Sequence, residues 1–185
     1  MQKTLEIQVR MKRLRLSRTS VRALHNLNRY DLIVFTSKNA RAFFMSELEE
    51  RHIAAPRRAR MVTVGPRHEL LRLSPLGKRI LFPRSAIAPY DIVRSLRARG
   101  AVVRVIPLYT TLGTPLSRGE KEALLRGAIT LLYFRSPSGI TGLLGQLSKK
   151  EKLMVRKIPA QCIGPTTARA AREAGFNKVS IKGVL

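Results

Sequence analysis

The chain has 185 residues, with 36 lysines and arginines against 11 acids, which gives a formal net charge of +25. A field of this sign attracts polyanions such as nucleic acid, acidic lipid or a small molecule with many carboxylates. The length suits one large domain or two small ones, and a single cysteine, Cys162, excludes an internal disulfide framework. A reducing, cytoplasmic compartment fits this cysteine usage. We expect neither a membrane span, which needs ~18 apolar residues, nor a secretory signal.

The hydrophobic pattern alternates between strands and helices along the chain. Leu5, Ile7 and Val9 alternate with polar residues and predict a short strand, and Ser20 is placed to cap a helix through Leu27. Further strands are predicted over 31–35, 61–64, 79–82, 101–106, 129–134, 160–163 and 179–181. Helices are predicted over 40–48, 70–73, 87–99, 120–126, 140–147 and 165–174. Alternation of this kind predicts an α/β fold with parallel sheets.

One stretch of the pattern occurs twice. In each copy an apolar strand is followed by a serine and then by a helical pattern, and a Gly-Pro pair comes 28 residues after the serine. The serine and glycine are Ser37 and Gly65 in the first copy and Ser136 and Gly164 in the second. Two copies of one supersecondary unit predict two similar lobes with a cleft between them, and clefts are where ligands usually bind.

Ligands of open parallel sheets bind beyond the carboxyl ends of the strands. The residues that follow the predicted strands are rich in hydroxyls, glycines and helix starts. Pro165 suits the first position of a helix, which leaves the N–H groups of Thr166 and Thr167 free to meet an anion. Ser136, Ser138 and Gly139 offer the same arrangement one strand away. The alternative for each hydroxyl is ordinary helix capping.

Other kinds of site find little support. His25, His52 and His68 lack metal-ligand spacing, and no metal site is expected. Nucleotide-binding glycine loops and a nucleophile elbow are missing, and no carboxylate pair falls at a strand end. The basic runs at 12–15, 57–60 and 149–152 lack interleaved aromatics, which favours solvated faces over a nucleic-acid site.

Five segments, in order, resemble the uroporphyrinogen-III synthase family. Two of them are residues 134–139 (Phe-Arg-Ser-Pro-Ser-Gly) and 163–168 (Ile-Gly-Pro-Thr-Thr-Ala), at the separation expected for the family. The others are 30–37 (Tyr-Asp-Leu-Ile-Val-Phe-Thr-Ser), 81–84 (Leu-Phe-Pro-Arg) and 105–111 (Val-Ile-Pro-Leu-Tyr-Thr-Thr).

The resemblance implies two flavodoxin-like parallel-sheet lobes joined by a two-stranded linker, with the active cleft between them. It predicts a basic N-terminal segment with a linker strand at 1–27, an inserted central domain at 28–104, a linker at 105–115 and a second domain at 116–185. The Leu5–Val9 strand is expected to pair with 105–111 as the linker.

The implied reaction cyclises hydroxymethylbilane, a linear octacarboxylate tetrapyrrole, with inversion of the terminal ring through a spiro intermediate and loss of water. It uses no metal or organic cofactor, and the protein is expected to be a monomer. The resemblance assigns proton donation to Tyr109. The residues expected to hold substrate are Thr36, Ser37, Gly65, Arg84, Ser136, Ser138, Gly139, Thr166 and Thr167.

The chain also departs from the family pattern. The opening strand and helix of the end-built domain and its final helix are not recognisable, the loop after Gly65 is short, and Arg135 replaces a small residue. The second domain is therefore predicted to be incomplete. Two alternatives stay open, a basic nucleic-acid-binding module and a non-catalytic remnant of the synthase fold.

Overall fold

The computed structural model describes residues 3–64 and 74–183, which fold into parallel sheets with helices between the strands. The strands are β1 (Thr4–Ile7), β2 (Val9–Arg13), β3 (Leu32–Phe35), β4 (Arg60–Thr63), β5 (Arg79–Ser85), β6 (Val102–Gly113), β7 (Leu131–Phe134), β8 (Ala160–Cys162) and β9 (Val179–Ile181). The helices are α1 (Arg18–His25), α2 (Lys38–Glu50), α3 (Asp91–Ala98), α4 (Arg118–Leu125), α5 (Pro137–Gly145), α6 (Lys149–Val155) and α7 (Pro165–Glu173), with a 3-10 turn at Leu27–Arg29.

The chain divides into two compact units. The central unit is Lys12–Thr110, and the end-built unit combines Met1–Met11 with Thr111–Leu185. The division falls within β2 and β6, so each of these strands contributes residues to both units. It assigns α1 to the central unit, whereas the sequence analysis grouped residues 1–27 as a separate N-terminal segment.

The central unit contains a sheet in the order β2-β6-β5-β3-β4. The pairs β3–β4, β3–β5 and β5–β6 are parallel, and the apolar run of β3 is buried on both faces, as expected for a covered parallel strand. One face packs against α1 and α2 through a cluster that includes Ile33, Phe35 and Phe44. The other packs against α3 through Val34, Phe82 and neighbouring residues.

The end-built unit contains the parallel sheet β1-β7-β8-β9. A hydrophobic core joins this sheet to α4, α5, α6 and α7, and Cys162 is a fully buried member of it. Burial raises the pKa of the Cys162 thiol, as expected for a small apolar core residue.

The expected pairing of the Leu5–Val9 strand with 105–111 is wrong for residues 5–7, whereas Val9 belongs to β2, which does neighbour β6. Residues 4–7 pair instead with β7, because Leu5 and Ile7 are buried in the core of the end-built unit. The strand ends at exposed Gln8, and β2 is the neighbour of β6. This strand therefore opens the end-built unit, whereas the sequence analysis predicted the strand but assigned it to the linker.

Most predicted elements lie where the periodicity put them. Gly100 and Gly175 end their helices with φ of +83° and +88°, in the left-handed region that favours glycine. The basic run at 149–152 belongs to α6, a helix the sequence analysis missed although Ser148 and Glu151 form a capping box before it. The predicted helix at 70–73 lies outside the described residues. Within 3–64 and 74–183 no helix is long and apolar enough to cross a bilayer.

Candidate active site

The carboxyl ends of β3 and β5 and the bulged part of β6 lie at one edge of the central sheet, because these strands are parallel. Thr36 and Ser37 follow β3, Arg84 lies at the end of β5, and Tyr109 lies in β6. The central unit contains five of the predicted site residues, including Tyr109, which the sequence analysis placed in the linker, and four of them lie at this edge of the sheet. The fifth, Gly65, lies outside the described residues.

A β-bulge turns Tyr109 toward α2. Arg84 is in register with Pro107, but Ser85 is in register with Tyr109, so β6 carries Leu108 as an extra residue. Leu108 and Tyr109 are consecutive and both buried in the cluster on the α2 face, where regular alternation would put them on opposite faces.

Hydrogen bonding and stacking hold the Tyr109 side chain at the start of α2. Its hydroxyl lies 3.3 Å from Ser37 Oγ, which also accepts the Ala40 N–H at 3.0 Å as the N-cap of the helix. The Tyr109 ring stacks on Phe43 with a centroid separation of 4.6 Å. If Ser37 donates to the tyrosine oxygen, the Tyr109 proton is free to be given to a ligand.

Arg84 lies on the opposite face of the same sheet from Tyr109. It lines a cavity of about 230 Å³ with Thr36, Phe82 and Ile92, on the side covered by α3. Its side chain is only 2% exposed, its Nε donates to the Ser85 carbonyl at 3.0 Å, and its carbon Cζ lies 4.2 Å from the centre of the Tyr90 ring.

The charge of Arg84 is poorly compensated. Its two terminal nitrogens are buried and have no hydrogen-bond partner within the described parts of the chain. Burial lowers the pKa of the Arg84 guanidinium, and the nearby Tyr90 partly opposes this shift. A buried cation without a counterion is a recognised sign of a functional site.

In the end-built unit, Ser136 follows β7 and Gly164 follows β8, so the repeated motif ends two neighbouring parallel strands. Ser136 is at the N-cap of α5, but its side chain makes no capping bond, and its buried Oγ has no partner among residues 3–64 and 74–183. This differs from Ser37, which caps α2. The unused hydroxyl leaves the start of α5 with a donor and an acceptor for a ligand.

The other predicted residues of this unit differ in accessibility. Thr166 is exposed in the first turn of α7, whereas Thr167 is 4% exposed. Gly139 is buried, and a Cβ there would lie 3.5 Å from the Phe134 ring and 3.6 Å from Ile7, so Gly139 packs the helix onto the sheet. Ser138 is half-buried, and its carbonyl accepts a hydrogen bond from the Thr141 hydroxyl at 3.2 Å.

The sequence assigned no site role to two residues near the site, although one of them, Ser85, lies in a strand-end segment that the sequence singles out. Ser85 is opposite Tyr109 in register, and its buried Oγ has no partner in the described parts of the chain. Tyr90 contacts the Arg84 guanidinium. A hydroxyl directly after Arg84 was a usable signal for Ser85, but nothing in the local sequence marked Tyr90, because its contact spans a turn. Arg135, the departure from the family pattern, is exposed and pairs with Glu6 at 2.6 Å.

Comparison with known proteins agrees with this arrangement. The family model for uroporphyrinogen-III synthase HemD matches residues 8–70 and 68–182. A mutant uroporphyrinogen III synthase from the extremely thermophilic bacterium Thermus thermophilus gives a TM-score of 0.58 at 20% identity, over 95% of this chain and 82% of that one. The uroporphyrinogen-III synthetase from Helicobacter pylori gives 0.57 at 17% identity, over 98% of this chain and 92% of that one. No curated protein sequence matches the chain.

Fold and site together define an α/β protein of two parallel-sheet units whose strand ends carry hydroxyl groups, helix starts and a buried arginine. The solved structures support the fold alone, because their identities to this chain are low. The family model matches well over half of the sequence, and the chain belongs to the uroporphyrinogen-III synthase family.

Proposed function

We propose that this protein is a uroporphyrinogen-III synthase, which cyclises hydroxymethylbilane with inversion of the terminal pyrrole ring and loss of water. The observation that carries the proposal is the Tyr109 hydroxyl at the carboxyl edge of the central sheet, 3.3 Å from Ser37 Oγ. Membership of the family supplies the substrate class. As a lyase of this kind, the chain needs a proton donor and a held substrate conformation rather than a nucleophile.

Tyr109 is the proposed proton donor. Its O–H proton goes to the hydroxyl group of the hydroxymethyl arm, the carbon–oxygen bond breaks, and water leaves. The cationic carbon is then attacked by the substituted α-carbon of the terminal pyrrole, which forms the spiro intermediate. The older bond from that α-carbon to the neighbouring methylene bridge then breaks, and the methylene carbon bonds to the free α-carbon of the same ring, which closes the macrocycle with the ring inverted. A ring carbon of the closed macrocycle gives up a proton, which restores the phenol, so the net products are the macrocycle and one water.

The positive charge and the strand-end groups are proposed to hold the carboxylates. A net charge of +25 attracts an octacarboxylate before any specific contact forms. In the end-built unit, Thr166 and the unused Ser136 hydroxyl lie at the starts of α7 and α5, where N–H groups favour anions. In the central unit, Thr36 and Arg84 are the proposed carboxylate contacts, with Gly65 as a backbone contact.

The test of the function is turnover with hydroxymethylbilane generated in situ, read as the ratio of type III to type I uroporphyrin after oxidation. Type I arises from spontaneous closure, so we expect an excess of type III over a protein-free control. A sample that is folded by circular dichroism and gives only type I would contradict the proposal and leave a non-catalytic remnant. The proposal includes a cytoplasmic monomer, and a monomeric mass by light scattering would support that part.

Ser37 is proposed to position Tyr109 as well as to cap α2. Ser37→Ala is expected to lower the free energy of unfolding by ~1 kcal/mol and kcat by about fivefold to tenfold, because it removes both the cap and the contact with Tyr109. Ser37→Thr keeps the hydroxyl and should restore most of the rate. Urea unfolding and the type III assay measure the two effects.

The matched control for Ser37 is Ser17→Ala. Ser17 caps α1 in the same unit, with its Oγ accepting from the Ser20 N–H at 3.2 Å, and it lies outside the proposed site. We expect the same loss of stability and an unchanged kcat. Equal kcat values for the two alanine variants would show that Ser37 acts only as a helix cap.

A further inference from the structure

Arg84 is the least compensated polar group described in the central unit. It is fully enclosed, yet neither terminal nitrogen has a hydrogen-bond partner within 3–64 and 74–183. A buried ionised group without a partner destabilises the fold, so a protein that keeps one must gain something in another state. A bound anion is the simplest partner, because a guanidinium offers two parallel N–H donors to one carboxylate.

The surroundings of Arg84 hold this pair of donors in place. Nε is engaged by the Ser85 carbonyl at 3.0 Å, and Tyr90 covers one face of the guanidinium at 4.2 Å. Neither contact uses the terminal nitrogens, which form the edge that binds a carboxylate. The guanidinium is therefore oriented before any ligand arrives, and orientation in advance lowers the entropic cost of binding.

The adjoining cavity has room for one carboxylate arm. It measures about 230 Å³, and Thr36 adds a hydroxyl to an otherwise largely apolar wall that includes Phe82 and Ile92. Among the described residues of this wall Asp91 is the acid, and it forms an ion pair with Arg94. The wall therefore keeps a positive character.

We propose that Arg84 and Thr36 form a subsite for a single carboxylate arm on the α3 face of the central sheet, with Tyr90 as the residue that positions Arg84. The ligand class, a propionate or acetate arm of a tetrapyrrole, rests on the proposed function. The subsite lies on the face of the sheet opposite Tyr109. The carboxylate arm held there is therefore separated from the proposed proton donor by the sheet itself.

The first test compares stability and binding in Arg84→Met, with uroporphyrin, the stable oxidised macrocycle, as the probe. Affinity measured by fluorescence titration should fall about thirtyfold, since charge-assisted hydrogen bonds are lost. The Tm of the free protein should stay the same or rise, because an uncompensated buried cation has been removed. A lower Tm with unchanged affinity would overturn the subsite and make Arg84 a structural residue.

Salt dependence separates this site from the general field of the protein. Arg104→Met removes one charge from an exposed position of β6 and is the matched control. Its loss of uroporphyrin affinity should be small and should disappear as the salt concentration is raised from ~0.05 to ~0.5 M. The loss in Arg84→Met should persist at high salt, because buried ion pairs are screened much less. Loss of both effects at high salt would overturn the subsite.

Tyr90 is tested with two variants. Tyr90→Leu should weaken uroporphyrin binding about threefold to tenfold and raise KM with little change in kcat, while Tyr90→Phe, which keeps the ring, should behave as wild type. Tighter binding by Tyr90→Leu would mean that the ring obstructs the arginine, and the positioning role would be wrong.

The subsite and the proposed function fail in distinguishable ways. Type III formation by the wild-type protein together with full affinity in Arg84→Met would leave the function standing and reject the subsite. Loss of affinity in Arg84→Met, in a wild-type protein that yields only type I, would support a carboxylate subsite and reject catalysis.

Discussion

Tyr109→Phe is expected to lower the rate of type III uroporphyrin formation by about 10²–10⁴-fold, the usual contribution of a general acid. The substitution removes only the oxygen that lies 3.3 Å from Ser37 Oγ, and the ring keeps its stacking on Phe43. Uroporphyrin affinity and the free energy of unfolding should therefore change little. The assay is the initial rate with hydroxymethylbilane generated in situ, corrected for spontaneous type I closure.

The control for Tyr109→Phe is Tyr133→Phe. Tyr133 is a buried tyrosine in β7, outside the proposed site, and a phenylalanine there should leave the rate unchanged. A Tyr109→Phe protein that keeps more than about a third of the wild-type rate would exclude the phenol as the general acid. The proton would then have to come from another group, and the neighbouring hydroxyls of Ser37 and Ser85 would be the next to substitute.

Gly142→Ala is expected to destabilise the end-built unit by about 2–3 kcal/mol, within the range measured for overpacked cores. Here α5 crosses the end of β6 at two glycines, and a Cβ on Gly142 would lie 2.3 Å from the Gly113 Cα and 2.7 Å from its nitrogen. Backbone atoms cannot relieve the overlap by changing rotamer as a side chain can, so the helix or the strand must shift.

The sign of this effect makes it diagnostic. Alanine normally stabilises a helix relative to glycine by up to ~1 kcal/mol. Gly145→Ala in the same helix is the matched control, because a Cβ there meets nothing within 4 Å and the residue is exposed. We expect Gly145→Ala to be neutral or stabilising and Gly142→Ala to be strongly destabilising in urea unfolding. Equal stabilities would mean that the two backbones are not in contact.

Sequence patterns predicted the elements of the fold well because most of the signals were local. The apolar run at 31–35, the hydroxyl that follows it and the equal spacing of the two motif copies all depend on neighbours in the chain. The same patterns predicted that α5 and α7 begin at the strand ends, where the anion-binding groups are proposed. The α6 helix was missed only because its lysines were interpreted as charge rather than as part of a Ser148–Glu151 capping box.

The features that the sequence could not predict are those that depend on strand pairing and on contacts between distant residues. Leu5 and Ile7 have the same alternation whether their strand joins β7 or the linker, and only the core of the end-built unit selects β7. Similarly, Arg84 and Tyr109 were assigned to one substrate site, but the pleat of β5 and the bulge in β6 put them on opposite faces. The contact of Tyr90 with Arg84 follows from a turn that local sequence does not specify.

The extra residue in β6 ties the proposed chemistry to chain length. If one residue were added or deleted between Val102 and Tyr109, the tyrosine side chain would move to the other face of the sheet. Its phenol would then point toward α3 instead of α2. Substitutions at exposed positions such as Arg104 leave that geometry alone. Natural variants of this segment should therefore differ in composition but keep a constant number of residues.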